Sequence, residues 1–186
     1  MHRPLGHMAC GLLALVLSAC GGSAGSPTAC NAPAAGSALL GTVTAVHDGD
    51  TLTLSTGNSV EHVRLQGIDA PELAQDFGEQ ARQALTERTL QQPVRVVYTQ
   101  RDRYDRVLGQ VFTADCTDVN QRLLELGMAW FYKAYACDLE ASRRLRYASA
   151  ETQASSHRLG LWSQNQPTAP WVFRNGEDTP APQCPG

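Results

Sequence analysis

The sequence predicts an α+β fold, a five-stranded Greek-key barrel of the OB type with about three helices, and three observations carry that expectation. Residues 41–69 alternate apolar and polar side chains around two turn signals, Asp48–Gly49 and Thr56–Asn58, as three antiparallel strands do. The stretch "FGEQARQALTERTLQQ" then places Ala81, Ala84 and Leu85 at helical spacing. Finally, "PVRVVYTQ" and "VLGQVFTA" are strand-like and flank the polar turn "RDRYDR". Three strands, a helix and two more strands suit a small barrel closed on itself.

Beyond the strands, Asp118 is placed to cap a short helix through Leu126. A longer helix is expected from about Asp138 to Ser156, with Gly160 of "RLGLW" as terminator. The chain has 186 residues, 42% hydrophobic and 18% charged, enough for one well-packed core, expected over residues 39–174. No internal repeat is present. The formal charge of -3 excludes a surface that attracts polyanions as a whole, so any affinity for nucleic acid must come from a local basic site.

The two ends read differently from the middle. "MHRPLGHM" is weakly basic and "ACGLLALVLSA" is apolar but too short to span a bilayer, the pattern of an export signal over residues 1–19. Its end, "LSAC", resembles the bacterial lipobox, which implies cleavage before Cys20 and a diacylglycerol on that thiol. Two or more acyl chains anchor stably, at about 0.8 kcal/mol per buried methylene. The alternative is a plain secretory signal with an incidental cysteine. Gly21 after Cys20 resembles the outer-membrane default of Gram-negative lipoproteins, so the expected location is the bacterial envelope, outer membrane or periplasm rather than cytoplasmic membrane. Residues 20–38, rich in Gly, Ser, Ala and Pro, read as a tether, and residues 175–186 as a tail of the same character.

Chemistry concentrates in "HDGDT" at 47–51, "RLQGIDAPE" at 64–72 and "RDRYDR" at 101–106. Asp50, Asp69 and Glu72 are hard oxygen donors, and Arg64 and Arg106 are permanently charged forks that match two oxygens of one phosphate. Each stretch has an ordinary reading alone. "DGDT" is a hairpin turn, and no EF-hand, because Leu52 stands where that loop needs an oxygen ligand. "IDAPE" is a strand exit before a helix start, and "RDRYDR" a charged turn. Joined in this order along a barrel-like pattern, they make a site. Serine, cysteine and zinc chemistry find no support, since G-x-S-x-G occurs only as "GGSAG" at 21–25, in the Gly- and Ser-rich stretch after Cys20, and C-x-x-C is absent.

Those three segments resemble the signatures of the thermonuclease family, the staphylococcal-nuclease-like calcium-dependent nucleases, over about Leu39 to Trp162. "VNQRLLELGMAWFY" and "RLGLW" are similar to that family as well. The resemblance implies a monomer that hydrolyses DNA and/or RNA to 3′-phosphate products. It implies that Asp50, Asp69 and the main-chain carbonyl of Ala70 bind Ca2+, that Arg64, Glu72 and Arg106 are catalytic, and that Arg103 and Tyr104 hold a terminal phosphate. Departures are visible. Arg103 stands where Lys is familiar, Ala70 where some members carry Thr, and Asp105 and Val107 flank Arg106 where small Gly residues occur elsewhere. Asp76 and Glu79 follow Glu72 in place of Lys, which implies a weaker grip on substrate.

The physical logic of the resemblance is direct. Two carboxylates about 5 Å apart repel by roughly 3 kcal/mol at an effective dielectric of 20, and a divalent cation removes that cost. Glu72 is then suited to position or deprotonate water, and the arginines to stabilise charge on the phosphoryl oxygens. Two other classes compete: a catalytically weak or silent OB-fold lipoprotein that binds single strands, and a structural envelope lipoprotein.

Of six cysteines, Cys10 leaves with the signal and Cys20 carries lipid. Cys116 and Cys137 lie inside the folded unit, and the expectation is a Cys116–Cys137 disulfide worth roughly 3 kcal/mol of constraint on the unfolded chain. Cys30 and Cys184 sit in the two tails.

Overall fold

The structure is a computed structural model that describes residues 37–176 and Cys184; the expected signal peptide, the lipidation residue Cys20 and most of the tether lie outside the described residues. Strands β1 (Ser37–Val46), β2 (Thr51–Ser55) and β3 (Val60–Leu65) come first, then a two-residue strand β4 (Ile68–Asp69). Helix α1 (Gly78–Thr89) separates these from β5 (Pro93–Arg101) and β6 (Val107–Thr113). Helix α2 (Val119–Glu125), strand β7 (Trp130–Phe131), helix α3 (Ala141–Ser156) and helix α4 (Pro170–Asn175) follow, with 3-10 turns at Lys133–Asp138 and Gly160–Ser163.

The five longer strands close into a barrel, as the sequence predicts, and their order around it is β1-β2-β3-β6-β5. Closure works because β1 is long enough to serve two partners: Ser37–Thr42 pairs with β5 and Thr42–Val46 with β2, both antiparallel, across an irregularity between Val43 and Ala45. The one parallel junction joins β3 to β6, Arg64 lying opposite Leu108. Alternation fills the interior: Leu52, Leu54, Val63, Val94, Val96 and Val111 are fully buried. Helix α1 adds Ala81 and Leu85 to that core, and α2 adds Leu123 and Leu124. The N-cap is as expected, Asp118 accepting from Gln121 N at 3.1 Å. Helix α3 begins at Ala141, slightly later than expected, because Asp138 ends the 3-10 turn and Leu139 is extended.

A polar network fastens α3 to the barrel. Arg143 donates to Gln66 Oε1 at 2.6 Å and Gln110 Oε1 at 3.0 Å, Gln110 Nε2 donates to Asp118 Oδ2 at 2.6 Å, and Tyr147 OH donates to Asp118. Burial, only partly offset by those hydrogen bonds, raises the Asp118 carboxyl above its ordinary pKa.

The cysteine expectation is corrected. Cys137 pairs with Cys184, with Cα atoms 5.0 Å apart, and Cys116 belongs to a different disulfide. The cause is β7, too short to be read from sequence. Its pairing with β4, Asp69 opposite Trp130, diverts the chain after α2 toward the end of β3 instead of back to the turn that holds Cys116. Cys184 meets Cys137 there.

Candidate active site

Asp50 closes the β1–β2 loop. Asp48 Oδ1 accepts from Asp50 N at 3.0 Å, and Asp50 O accepts from Leu65 N at 2.8 Å, so the loop is pinned to the end of β3. Gly49 is required by packing: a Cβ there would stand 2.5 Å from Ala70 Cβ and 2.7 Å from Ala81 Cβ. That close approach lets Asp50 Oδ2 accept from Ala70 N at 2.7 Å. "DGDT" is thus more than a hairpin turn; it docks onto "IDAPE".

Asp50 and Asp69 are 1% and 0% exposed, a costly placement for two carboxylates unless they are compensated. Arg64 compensates both, with Nη1 on Asp50 Oδ1 and Nη2 on Asp69 Oδ1 at 2.5 Å. Thr51 Oγ1 also donates to Asp50 Oδ1 at 3.2 Å. The sequence-predicted pair of carboxylates and the first arginine are therefore in one cluster.

Glu72 follows at the rim, its side chain 36% exposed. Its amide donates to Gln75 Oε1 at 2.8 Å and its carbonyl accepts from Gln75 N at 2.8 Å, a tight turn against which Gly78 packs. A Cβ on Gly78 would lie 2.0 Å from Glu72 O, so only glycine lets α1 start so near.

The third segment is brought alongside by register: Arg64 lies opposite Leu108, two residues after Arg106. Arg106 does not contact the carboxylate cluster. It forks onto Asp102, Nε to Oδ2 at 2.8 Å and Nη2 to Oδ2 at 2.8 Å. Burial opposes ionisation of Asp102, yet the hydrogen bonds from Arg106 and from Tyr104 N together hold it below its ordinary pKa. Asp105, which the sequence sets beside Arg106, turns to Arg101 instead, 3.6 Å away, and adopts φ 63° where glycine fits more easily. Tyr104, 64% exposed, lies between Arg103 and Arg106, whose guanidinium carbons stand 4.8 and 5.5 Å from its ring centre. Arg103, Tyr104 and Arg106 thus form a cationic platform in the turn between β5 and β6.

The donors near Arg64 are all oxygens, which suits a hard cation such as Ca2+. Among the described residues no group of three or more His, Cys, Asp or Glu side chains is arranged to hold a metal. A cation here would rely on the two aspartates, main-chain carbonyl oxygen and water, a set that fits calcium, which keeps waters readily.

Residues 62–164 match the family model of the staphylococcal nuclease homologues. The chain belongs to the staphylococcal nuclease family. Among its relatives, an uncharacterised endonuclease of Escherichia coli is 36% identical over 137 residues, 74% of this chain and 86% of the relative. A micrococcal nuclease of Shigella flexneri is 37% identical over 142 residues, 72% and 79% of the two chains. An uncharacterised endonuclease of Haemophilus influenzae is 38% identical over 136 residues, 73% and 72% of the two chains. These matches make the protein a nuclease, a hydrolase.

One residue of the nuclease's site lies outside every segment that sequence reading singled out. Arg174, beyond the matched stretch, puts Nη2 on Asp69 Oδ2 at 2.7 Å and Nη1 on Glu72 Oε1 at 2.6 Å. Its own burial opposes the charge, but these two carboxylates outweigh it and raise its pKa. Helix α4 positions it. Trp171 stacks on Tyr132, with ring centres 5.4 Å apart, and meets Trp130 edge-on at 5.6 Å. Gln75 Nε2 donates to Thr168 O at 3.2 Å, tying the segment before α4 to the Glu72 turn. Burial, with Asp69 nearby, raises Tyr132 above its ordinary pKa. A signal was available in "PWVFRNG": Pro at the first helical position and Gly past the last mark a short helix.

Proposed function

We propose that the nuclease is a calcium-dependent phosphodiesterase that cleaves DNA and/or RNA to products ending in 3′-phosphates, held at the bacterial envelope by lipid on Cys20. The observation that carries the catalytic reading is the convergence of buried Asp50 and Asp69 on Arg64, with Glu72 at the rim. Calcium on Asp50, Asp69 and the Ala70 carbonyl would supply positive charge to the phosphoryl oxygens and take over the compensation that Arg64 gives the aspartates.

The chain's own groups account for the rest. Arg64 and Arg106, brought alongside by register, bind non-bridging oxygens of the scissile phosphate and stabilise the charge that grows there. Arg106 reaches substrate by giving up part of its fork on Asp102. Arg103 and Tyr104 hold a neighbouring phosphate. Glu72 accepts the proton of the attacking water; the new bond is water oxygen to phosphorus, the broken one phosphorus to O5′, and the leaving oxygen departs as a hydroxyl after taking a proton.

Export rests on the apolar segment that ends in "LSAC". The Cys137–Cys184 bond supports it, since disulfides persist in oxidising compartments.

The test is digestion of a labelled oligonucleotide in calcium by wild type and by Glu72→Gln, with the product ends identified. The reading expects 3′-phosphate and 5′-hydroxyl ends and a rate lowered roughly a hundredfold or more in the variant. Full activity of Glu72→Gln, or 5′-phosphate ends, refutes it.

A further inference from the structure

A pocket of 450 Å³ opens beside the catalytic groups, between the β1–β2 loop and helix α4. Glu72 and Arg174 line it together with His47 and Asp48, and Leu73 and Phe173 are its large apolar side chains. Leu73 and Phe173 are 52% and 51% exposed. Phe173 lies two residues after Trp171, which is 7% exposed in the aromatic stack, so α4 buries one ring and presents the other.

Resting on the nuclease reading above, we propose that this pocket takes one unstacked nucleobase of the nucleotide next to the scissile phosphate, with Phe173 as its stacking surface. The occupant follows from continuity. A group that fills the pocket while its phosphate sits between Arg64 and Glu72 must be joined to that phosphate within one nucleotide. An apolar lining with an aromatic ring suits a base face, which stacks regardless of sequence. His47 and Asp48 offer polar groups for a base edge; His47 Nε2 is already hydrogen-bonded to Thr53 Oγ1 at 2.7 Å, which holds its ring in place. The pocket is separate from the Arg103–Tyr104–Arg106 platform, which faces phosphate with cations.

The experiment measures binding of a fluorescein-labelled deoxytetranucleotide in chelator, intact or abasic at each single position, to wild type, Phe173→Ala and Phe173→Tyr. Phe173→Ala is expected to weaken binding of the intact probe roughly tenfold, with Phe173→Tyr close to wild type. One abasic position should weaken wild type similarly and cancel the difference between wild type and Phe173→Ala. The slope of log affinity against log salt should stay unchanged, because no phosphate contact is lost. Equal affinity of wild type and Phe173→Ala, a loss that persists at every abasic position, a changed salt slope, or no binding by wild type overturns the proposal. Cleavage is scored separately: base binding through Phe173 without cleavage of intact oligonucleotide in calcium refutes the catalytic reading alone.

Discussion

Arg174 and Glu72, 102 residues apart in the chain, are joined by Nη1 and Oε1 at 2.6 Å, and the same guanidinium grips Asp69. A cation on the C-terminal helix thus competes for one proposed calcium ligand and aims the proposed base. Arg174→Ala should separate these effects. Half-maximal rate is expected at a severalfold lower calcium concentration, since the competitor for Asp69 is gone. Maximal rate should fall about tenfold, since Glu72 is no longer held. Arg174→Lys should restore little of the rate, because an ammonium cannot fork onto two carboxylates. The rate as a function of calcium checks both directions; an unchanged maximal rate removes Arg174 from the account.

The Trp171 stack holds helix α4, and a disulfide ties Cys184 to Cys137, 47 residues earlier in sequence. In the chain-entropy view a loop of that size constrains the unfolded state by about 4 kcal/mol. Replacing both cysteines by serine should lower the melting temperature by roughly 10 °C in the absence of reductant. An unchanged melting curve contradicts the prediction.

The turn between β5 and β6 depends on an ionised Asp102, which accepts from Tyr104 N at 2.9 Å, Arg106 N at 3.0 Å and the Arg106 guanidinium. Its pKa is lowered in the fold, so its stabilisation is complete above the unfolded value near 4 and is lost as pH falls through the lower folded value. Asp102→Ala should therefore cost about 2 kcal/mol at neutral pH, with the gap to wild type closing below about pH 4. Urea denaturation at both pH values measures this; a gap that widens in acid contradicts it.

The site was legible in sequence where ionisable residues sit at the ends of apolar strands, because only a demanding site keeps Asp50 and Asp69 buried beside Arg64. The barrel was legible for a related reason: alternation over residues 41–69 leaves one register that buries Leu52, Leu54 and Val63. What escaped depends on contacts without local period. Strands β4 and β7 have two residues each, so neither alternation nor length marks them, and the cysteine pairing that their meeting decides was misread. Arg174 is carried by a six-residue helix held by an aromatic stack with Tyr132, a tertiary contact that no spacing within "PWVFRNG" encodes. The partner of Arg106 was also hidden, since only the folded turn decides that Asp102 faces it and Asp105 does not.

The central claim, that two buried aspartates beside Arg64 make a metal-dependent phosphodiesterase site, is tested most directly by one activity measurement. The chain purified without its first nineteen residues is incubated with denatured DNA or RNA in calcium, and in a large excess of chelator. The account predicts cleavage of at least one of the two substrates in calcium, its loss in chelator, and its return when calcium is restored. Cleavage undiminished in excess chelator would contradict it.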